Sequence, residues 1–153
     1  MLQLVLLLLI KASVLCLKLH SIMKIQMKDW KVRSLSLQFL EKPQKKNSFG
    51  LSLANSYSED NDKEFLTGFL VVINNTEFKI KLEMAFIFEL DVPIDDKFKK
   101  SDFVKINAPA IAFPYVRSYI SNLTLQSGFS PVILPSVNFV QLAQNKMAKK
   151  ESK

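Results

Sequence analysis

From Phe78 to Leu90 apolar side chains take every even position (Phe78, Ile80, Leu82, Met84, Phe86, Phe88 and Leu90), while Glu77, Lys79, Lys81, Glu83 and Glu89 dominate the odd ones. Side chains alternate across a strand, so this run predicts an antiparallel strand with one buried and one wetted face. The preceding run, Glu64–Ile73, is apolar on both parities: Phe65, Phe69, Val71 and Ile73 against Leu66, Leu70 and Val72. Such a strand wants cover on both sides. The chain's own helices supply one layer, and a second subunit packed sheet against sheet supplies the other. Asn74-Asn75-Thr76 joins the two runs as a hairpin turn, since Asn tolerates positive φ. Further upstream, Phe49, Leu51, Leu53 and Tyr57 recur every second or fourth residue. The first strand, Trp30–Phe39, changes phase: Trp30 and Val32 share one parity, and Leu35, Leu37 and Phe39 the other. That slip predicts a bulge near Arg33–Ser34.

After Val92-Pro93 the period changes. Lys97–Ile106 predicts a short helical turn, and Val116, Tyr119, Ile120 and Leu123 fall at the spacing of an amphipathic helix. Pro109 suits the first turn of that helix, Pro114 lies in the first turn or kinks it, and Gly128 is placed to end it in the left-handed conformation. Phe129–Ser136 is then extended and apolar, stiffened by Pro131 and Pro135. Asn138 with Gln141 forms a capping box, with Val137 and Leu142 as its staple, so a last helix runs from Phe139 to about Lys149.

The first 22 residues stand apart from this pattern. Leu2–Ile10 is apolar except for Gln3, but Lys11, Lys18 and His20 interrupt it short of the roughly twenty residues a spanning helix needs. No basic residue precedes the apolar run, as one would in an export signal, and Cys16 follows Leu15 rather than a small residue. Three readings remain: an unusual export signal, a peripheral hydrophobic anchor, or translated sequence upstream of the true start, with Met23 and Met27 beside the first regular strand. The third is favoured. The chain thus divides into a hydrophobic extension (1–22), one folded domain (23–149) and a basic tail (150–153).

Composition removes several classes of chemistry. With 153 residues, 48% apolar and 23% charged, the chain is an ordinary single globular domain. Three glycines argue against a phosphate-cradling loop, and a single Cys and a single His, both in the doubtful leader, leave no metal cluster or activated nucleophile. No catalytic residue, metal or cofactor is therefore expected, and Asp95-Asp96 reads as turn chemistry. The net charge of +7 sits largely at the ends, Lys11 and Lys18 in the leader and four Lys against one Glu in 146–153. A nucleic-acid module would concentrate that charge on the folded face, so nucleic acid is the alternative reading and not the expected partner.

The apolar link between the two helices is the remaining signal. Connections are normally polar, so Phe129, Val132, Ile133, Leu134 and Val137 either pack over the sheet or wall an exposed trough. A long apolar trough with few fixed polar groups suits an extended, unfolded polypeptide better than a compact metabolite.

Ile106-Asn107-Ala108-Pro109-Ala110-Ile111-Ala112-Phe113-Pro114-Tyr115-Val116-Arg117, then Gly128-Phe129, then Leu134-Pro135-Ser136-Val137-Asn138-Phe139, resemble the SecB family of export chaperones. The resemblance extends from Met23 to about Lys149. It implies an α+β fold, a four-stranded antiparallel sheet with two C-terminal helices on one face, assembled as a homotetramer (a dimer of dimers). It also implies a cytoplasmic, ATP-independent holdase that binds unfolded preproteins in hydrophobic grooves. The groove positions carried over are Phe78, Ile80 and Leu82 from the last strand, Phe129, Ile133 and Leu134 from the crossover, and Leu142 and Met147 from the final helix. Export members offer acidic side chains on the exposed sheet face to the motor ATPase SecA. Here Lys79 and Lys81 stand on that face and the tail is basic, which puts the SecA partnership in doubt. Some SecB-like proteins instead protect the antitoxin of a toxin–antitoxin pair, and that alternative stays open.

Overall fold

The computed structural model describes residues 24–42 and 47–151, with side chains to residue 145. The expected leader, with Cys16 and His20, and residues 43–46 between the first two strands lie outside the described residues, as do the side chains of the basic tail. Four strands, β1 (Ile25–Phe39), β2 (Ser48–Tyr57), β3 (Glu64–Asn74) and β4 (Phe78–Leu90), form one antiparallel sheet in the order β1-β4-β3-β2. A one-turn helix α1 (Asp96–Lys99), a π-helical turn (Phe103–Asn107), and helices α2 (Ala108–Gln126) and α3 (Phe139–Glu151) follow. This is the expected fold class. β1 starts five residues earlier than its pattern suggested, and the chain crosses the sheet between β1 and β2 rather than forming a simple meander.

The inner face is built by register. Phe65, Phe69, Val71 and Ile73 on β3 lie opposite Phe88, Met84, Leu82 and Ile80 on β4, and all eight are buried. The phase slip in β1 resolves as expected: a register shift between Val32 and Ser34 brings Val32 opposite Met84 and Leu35 opposite Leu82, on one face. A second shift, between Met27 and Asp29, carried no signal we read in the sequence. Each bulge adds one residue, which restores the parity of the apolar side chains.

On β2 the gap in the alternation is Asn55. It occupies an inner-face position opposite Thr67, and its amide Nδ2 donates to the Val104 carbonyl in the π-helical turn at 3.3 Å. A π-turn shifts the helical ladder and leaves carbonyls needing partners, and the single polar residue in the row supplies one. Nearby, the Tyr57 hydroxyl donates to the Lys99 carbonyl at 3.4 Å. The predicted helical turn after Val92-Pro93 is thus two pieces, α1 capped by Asp95, whose carboxylate accepts the Phe98 N–H at 2.6 Å, and the π-turn beyond it.

Phenylalanines join the layers. Phe86 on β4 meets Phe69 on β3 at 5.5 Å, Phe69 meets Phe113 of α2 at 6.1 Å, and Phe113 meets Phe139 of α3 at 5.6 Å. Edge-to-face and offset geometries at these distances are each worth about 0.5–1.5 kcal/mol beyond area burial. Pro109 lies in the first turn of α2, as expected, and Pro114 lies inside the helix. Among the described residues only Gly128 has positive φ, at 85°. The Asn74–Thr76 hairpin therefore forms without the left-handed asparagine expected there. Instead the Asn75 carboxamide oxygen accepts the Thr76 N–H and hydroxyl, while the Asn75 N–H donates to the Phe78 carbonyl.

Candidate functional site

Gly128 ends α2 and releases the chain into an extended strap that runs to Asn138 before α3 begins. Several contacts hold the strap down. The Phe129 ring lies 4.5 Å from Phe78 and 5.4 Å from Phe39, and the Phe129 N–H donates to the Thr124 carbonyl at 3.0 Å. The Val132 N–H donates to the Thr124 hydroxyl at 2.9 Å. At the far end the Asn138 side chain accepts the Gln141 N–H at 3.1 Å, the expected helix cap.

An extended chain alternates its side chains, and the strap does so across its middle: Val132 is half-buried, Ile133 is 78% exposed and Leu134 is 3% exposed. Leu134 anchors the strap to the core and leaves Ile133 standing in water. On either side is a depression of about 250 Å³. One is walled by Pro114, Arg117, Ser118 and Ser121 of α2, the other by Phe49, Ile73 and the Asn74-Asn75 turn, and both share Val132, Ile133 and Leu134. The strap is therefore neither sealed flat nor free: it is the ridge between two troughs. A third, larger depression of about 480 Å³ lies between β1 and α2, lined by Trp30, Tyr115, Tyr119 and Leu123 among others.

The eight positions carried over from the resemblance divide. Ile133 is exposed, and Phe129 and Leu142 are half-buried beside the troughs. Phe78, Ile80 and Leu82 are 0–1% exposed, and Leu134 is 3% exposed. These four are core beneath the site rather than accessible lining, because the even face of β4 is the face the strap and α2 cover. The Met147 side chain lies outside the described residues. Missed were Trp30, Tyr115 and Tyr119. Tyr119 belongs to the apolar stripe of α2: Val116 and Ile120 of that stripe are fully buried, while Tyr119 and Leu123 are half-buried, packed against the core and lining the depression between β1 and α2.

The walls are mainly apolar, with scattered hydroxyls, the carboxamides of Asn47, Asn74, Asn75, Asn122 and Gln126, and the Arg117 guanidinium. Among the described residues no three His, Cys, Asp or Glu side chains gather as a metal site, and no helix is long and apolar enough to cross a membrane.

The family described as Preprotein translocase subunit SecB matches residues 20–150. Protein-export protein SecB of Roseobacter denitrificans is 31% identical over 77 residues, covering 50% of this chain, and this chain spans 45% of that protein's length. Protein-export protein SecB of Rickettsia akari is 28% identical over 115 residues, covering 73% of this chain and 74% of that protein. Among solved structures, the Mycobacterium tuberculosis SecB-like chaperone Rv1957, in complex with a ChAD peptide from the Rv1956 HigA1 antitoxin, superposes with a TM-score of 0.60 at 13% identity, covering 74% of this chain and 91% of that one. The sheet, the two following helices and the family match over 131 of 153 positions (residues 20 to 150 inclusive) make this chain a member of the SecB family.

Proposed function

We propose that this chain is an ATP-independent holdase that binds unfolded polypeptide along the troughs beside the strap, as a homotetramer without catalytic activity. The observation that carries the reading is Ile133, a large aliphatic side chain 78% exposed on a ridge between two open apolar troughs. A folded chain gains nothing from leaving such a residue in water, whereas an extended client laid along either trough would bury it at about 25 cal/mol per Å² of apolar area. Shallow, elongated walls also suit a chain better than a compact ligand, which wants deep enclosure. The test is aggregation of a chemically denatured client protein, diluted with and without the purified chain and with no nucleotide. Suppression that Ile133→Asp weakens supports the reading, and no effect of the chain on aggregation overturns it.

Export and antitoxin protection are the two settings for this activity. The named relatives are export proteins, and the structural neighbour holds an antitoxin peptide. Lys79 and Lys81 on the outer sheet face argue against a SecA partnership built on acidic side chains. Affinity capture from the source cell separates the settings: secretory precursors favour the first, and an antitoxin encoded nearby favours the second.

A further inference from the structure

The trough between α2 and the strap has two unlike walls. Val132, Ile133 and Leu134 stand on the strap side, and Pro114, Arg117, Ser118 and Ser121 on the helix side. The four helix residues fall at i, i+3, i+4 and i+7, so they form one stripe of α2. After Pro114 that stripe offers a guanidinium and two hydroxyls, facing an aliphatic ridge across about 250 Å³. The trough on the other side of Ile133, lined by Phe49, Ile73 and the Asn74-Asn75 turn among others, holds no charged residue. A purely apolar segment can therefore fill the second trough, but in the first it would strip water from a cation.

Nothing in this half of the chain neutralises that cation. Arg117 is half-buried, is the only charged residue of α2, and has no hydrogen-bond or ion-pair partner among the described residues. The sequence gives the reason: from Phe103 to Lys150, the span that builds the π-turn, α2, the strap and nearly all of α3, there is no Asp or Glu. The charged residues of that span are Lys105, Arg117, Lys146, Lys149 and Lys150, all basic. A guanidinium covered by an apolar segment loses hydration and gains no partner. A carboxylate brought by the segment reverses the balance, because the planar guanidinium can hold it through two parallel N–H bonds. The Ser118 hydroxyl, which accepts the Asn122 amide at 3.4 Å, and the Ser121 hydroxyl each keep a proton to donate beside it.

We propose that Arg117 sets the client preference of this trough, selecting unfolded segments that carry a carboxylate among their apolar residues. The apolar side chains cover Ile133 while the carboxylate turns to the α2 wall, an arrangement that the alternating sides of an extended chain permit. The proposal rests on the reading of the troughs as client sites and adds a charge rule to it.

The test is fluorescence anisotropy with the full chain and three labelled peptides, blocked at both ends, in which a central Glu, Gln or Lys is flanked by alternating Val and Ser. At low salt the Glu peptide should bind about fivefold tighter than the Gln peptide, and the Lys peptide weaker than both, a ranking that narrows as salt rises. Arg117→Gln should equalise the Glu and Gln peptides, and Arg117→Lys should keep part of the preference. Arg117→Glu should reverse it in favour of the Lys peptide, with circular dichroism showing the fold retained in all three variants. Ile133→Ser should weaken every peptide together and leave the Glu-to-Gln ratio unchanged. Equal binding of the three peptides by the unaltered chain overturns the charge rule and leaves the trough reading standing, whereas binding of none overturns both. Retention of the ranking in Arg117→Gln also overturns the proposal. So does a changed native mass of that variant by light scattering, which would place the guanidinium in a subunit contact.

Discussion

The Thr124 hydroxyl sits 2.9 Å from the Val132 backbone nitrogen, eight residues on, and accepts its N–H. The same oxygen lies 3.0 Å from the Ile120 carbonyl, to which it donates. One buried side chain in the last turn of α2 thus ties the strap to the helix, and the position of Ile133 follows from that bond.

Thr124→Val keeps the shape but removes the acceptor, stranding the Val132 N–H. An unpaired buried donor costs about 1–3 kcal/mol. Chemical denaturation should show a loss in that range, and hydrogen exchange should show faster exchange at Val132. Unchanged exchange there would mean that Thr124 does not hold the strap.

Neighbouring strap residues should respond oppositely to the same substitution. Ile133→Asp places a charge in water, so stability should change within about 0.5 kcal/mol while aggregation suppression falls. Leu134→Asp buries a carboxylate in the core and should destabilise the fold by several kcal/mol. Paired denaturation and holding assays check this, and equal destabilisation by both would refute the alternation of the strap.

Thr67 carries a buried hydroxyl with no hydrogen-bond partner, on the inner face opposite Asn55 and Phe86. Thr67→Val replaces it with a methyl group of similar size and should raise stability by about 1 kcal/mol. A loss on thermal or urea unfolding would reveal a buried water bridging Thr67.

Gly128 is the one glycine whose backbone needs it. Its φ is +85°, and an added Cβ would meet nothing within 4 Å. Gly128→Ala should therefore cost about 1 kcal/mol through backbone strain alone. Gly50→Ala, at ordinary strand φ, should be neutral or mildly stabilising in the same unfolding assay.

Two groups bear on the alkaline side of stability. The Glu64 and Glu89 carboxylates hold the Lys28 ammonium above the ordinary lysine value of 10.5, with the hydrogen bond to Glu64 as the largest cause. Burial pushes the Tyr57 hydroxyl above its ordinary value of 10.0. Both folded values are raised, so both groups contribute fully below the unfolded values and lose their contribution as pH rises through the folded ones. The unfolding midpoint should fall above about pH 10, and Lys28→Met with Tyr57→Phe should flatten that fall. An unaltered slope in the double variant would exclude both groups as its cause.

Local pattern alone determined β2, β3, β4 and the second half of β1, the β1 bulge at Arg33, the glycine that ends α2 and the Asn138 cap. Each depends on parity, backbone conformation or a three-residue hydrogen bond, all of which are local. The same pattern showed that the 129–137 link is apolar. Only the tertiary structure decided that β1 lies beside β4, that Lys28 bulges toward two acids, and that Asn55 serves the π-turn. These depend on which elements meet across the sheet, and alternation carries no information about strand order. The site divides the same way. Phe78, Ile80 and Leu82 are apolar in the sequence whether they face a client or the core, and the covering strap puts them in the core. Ile133 differs from Leu134 by one position, and the bond from Thr124 to Val132 helps decide which of the two meets water.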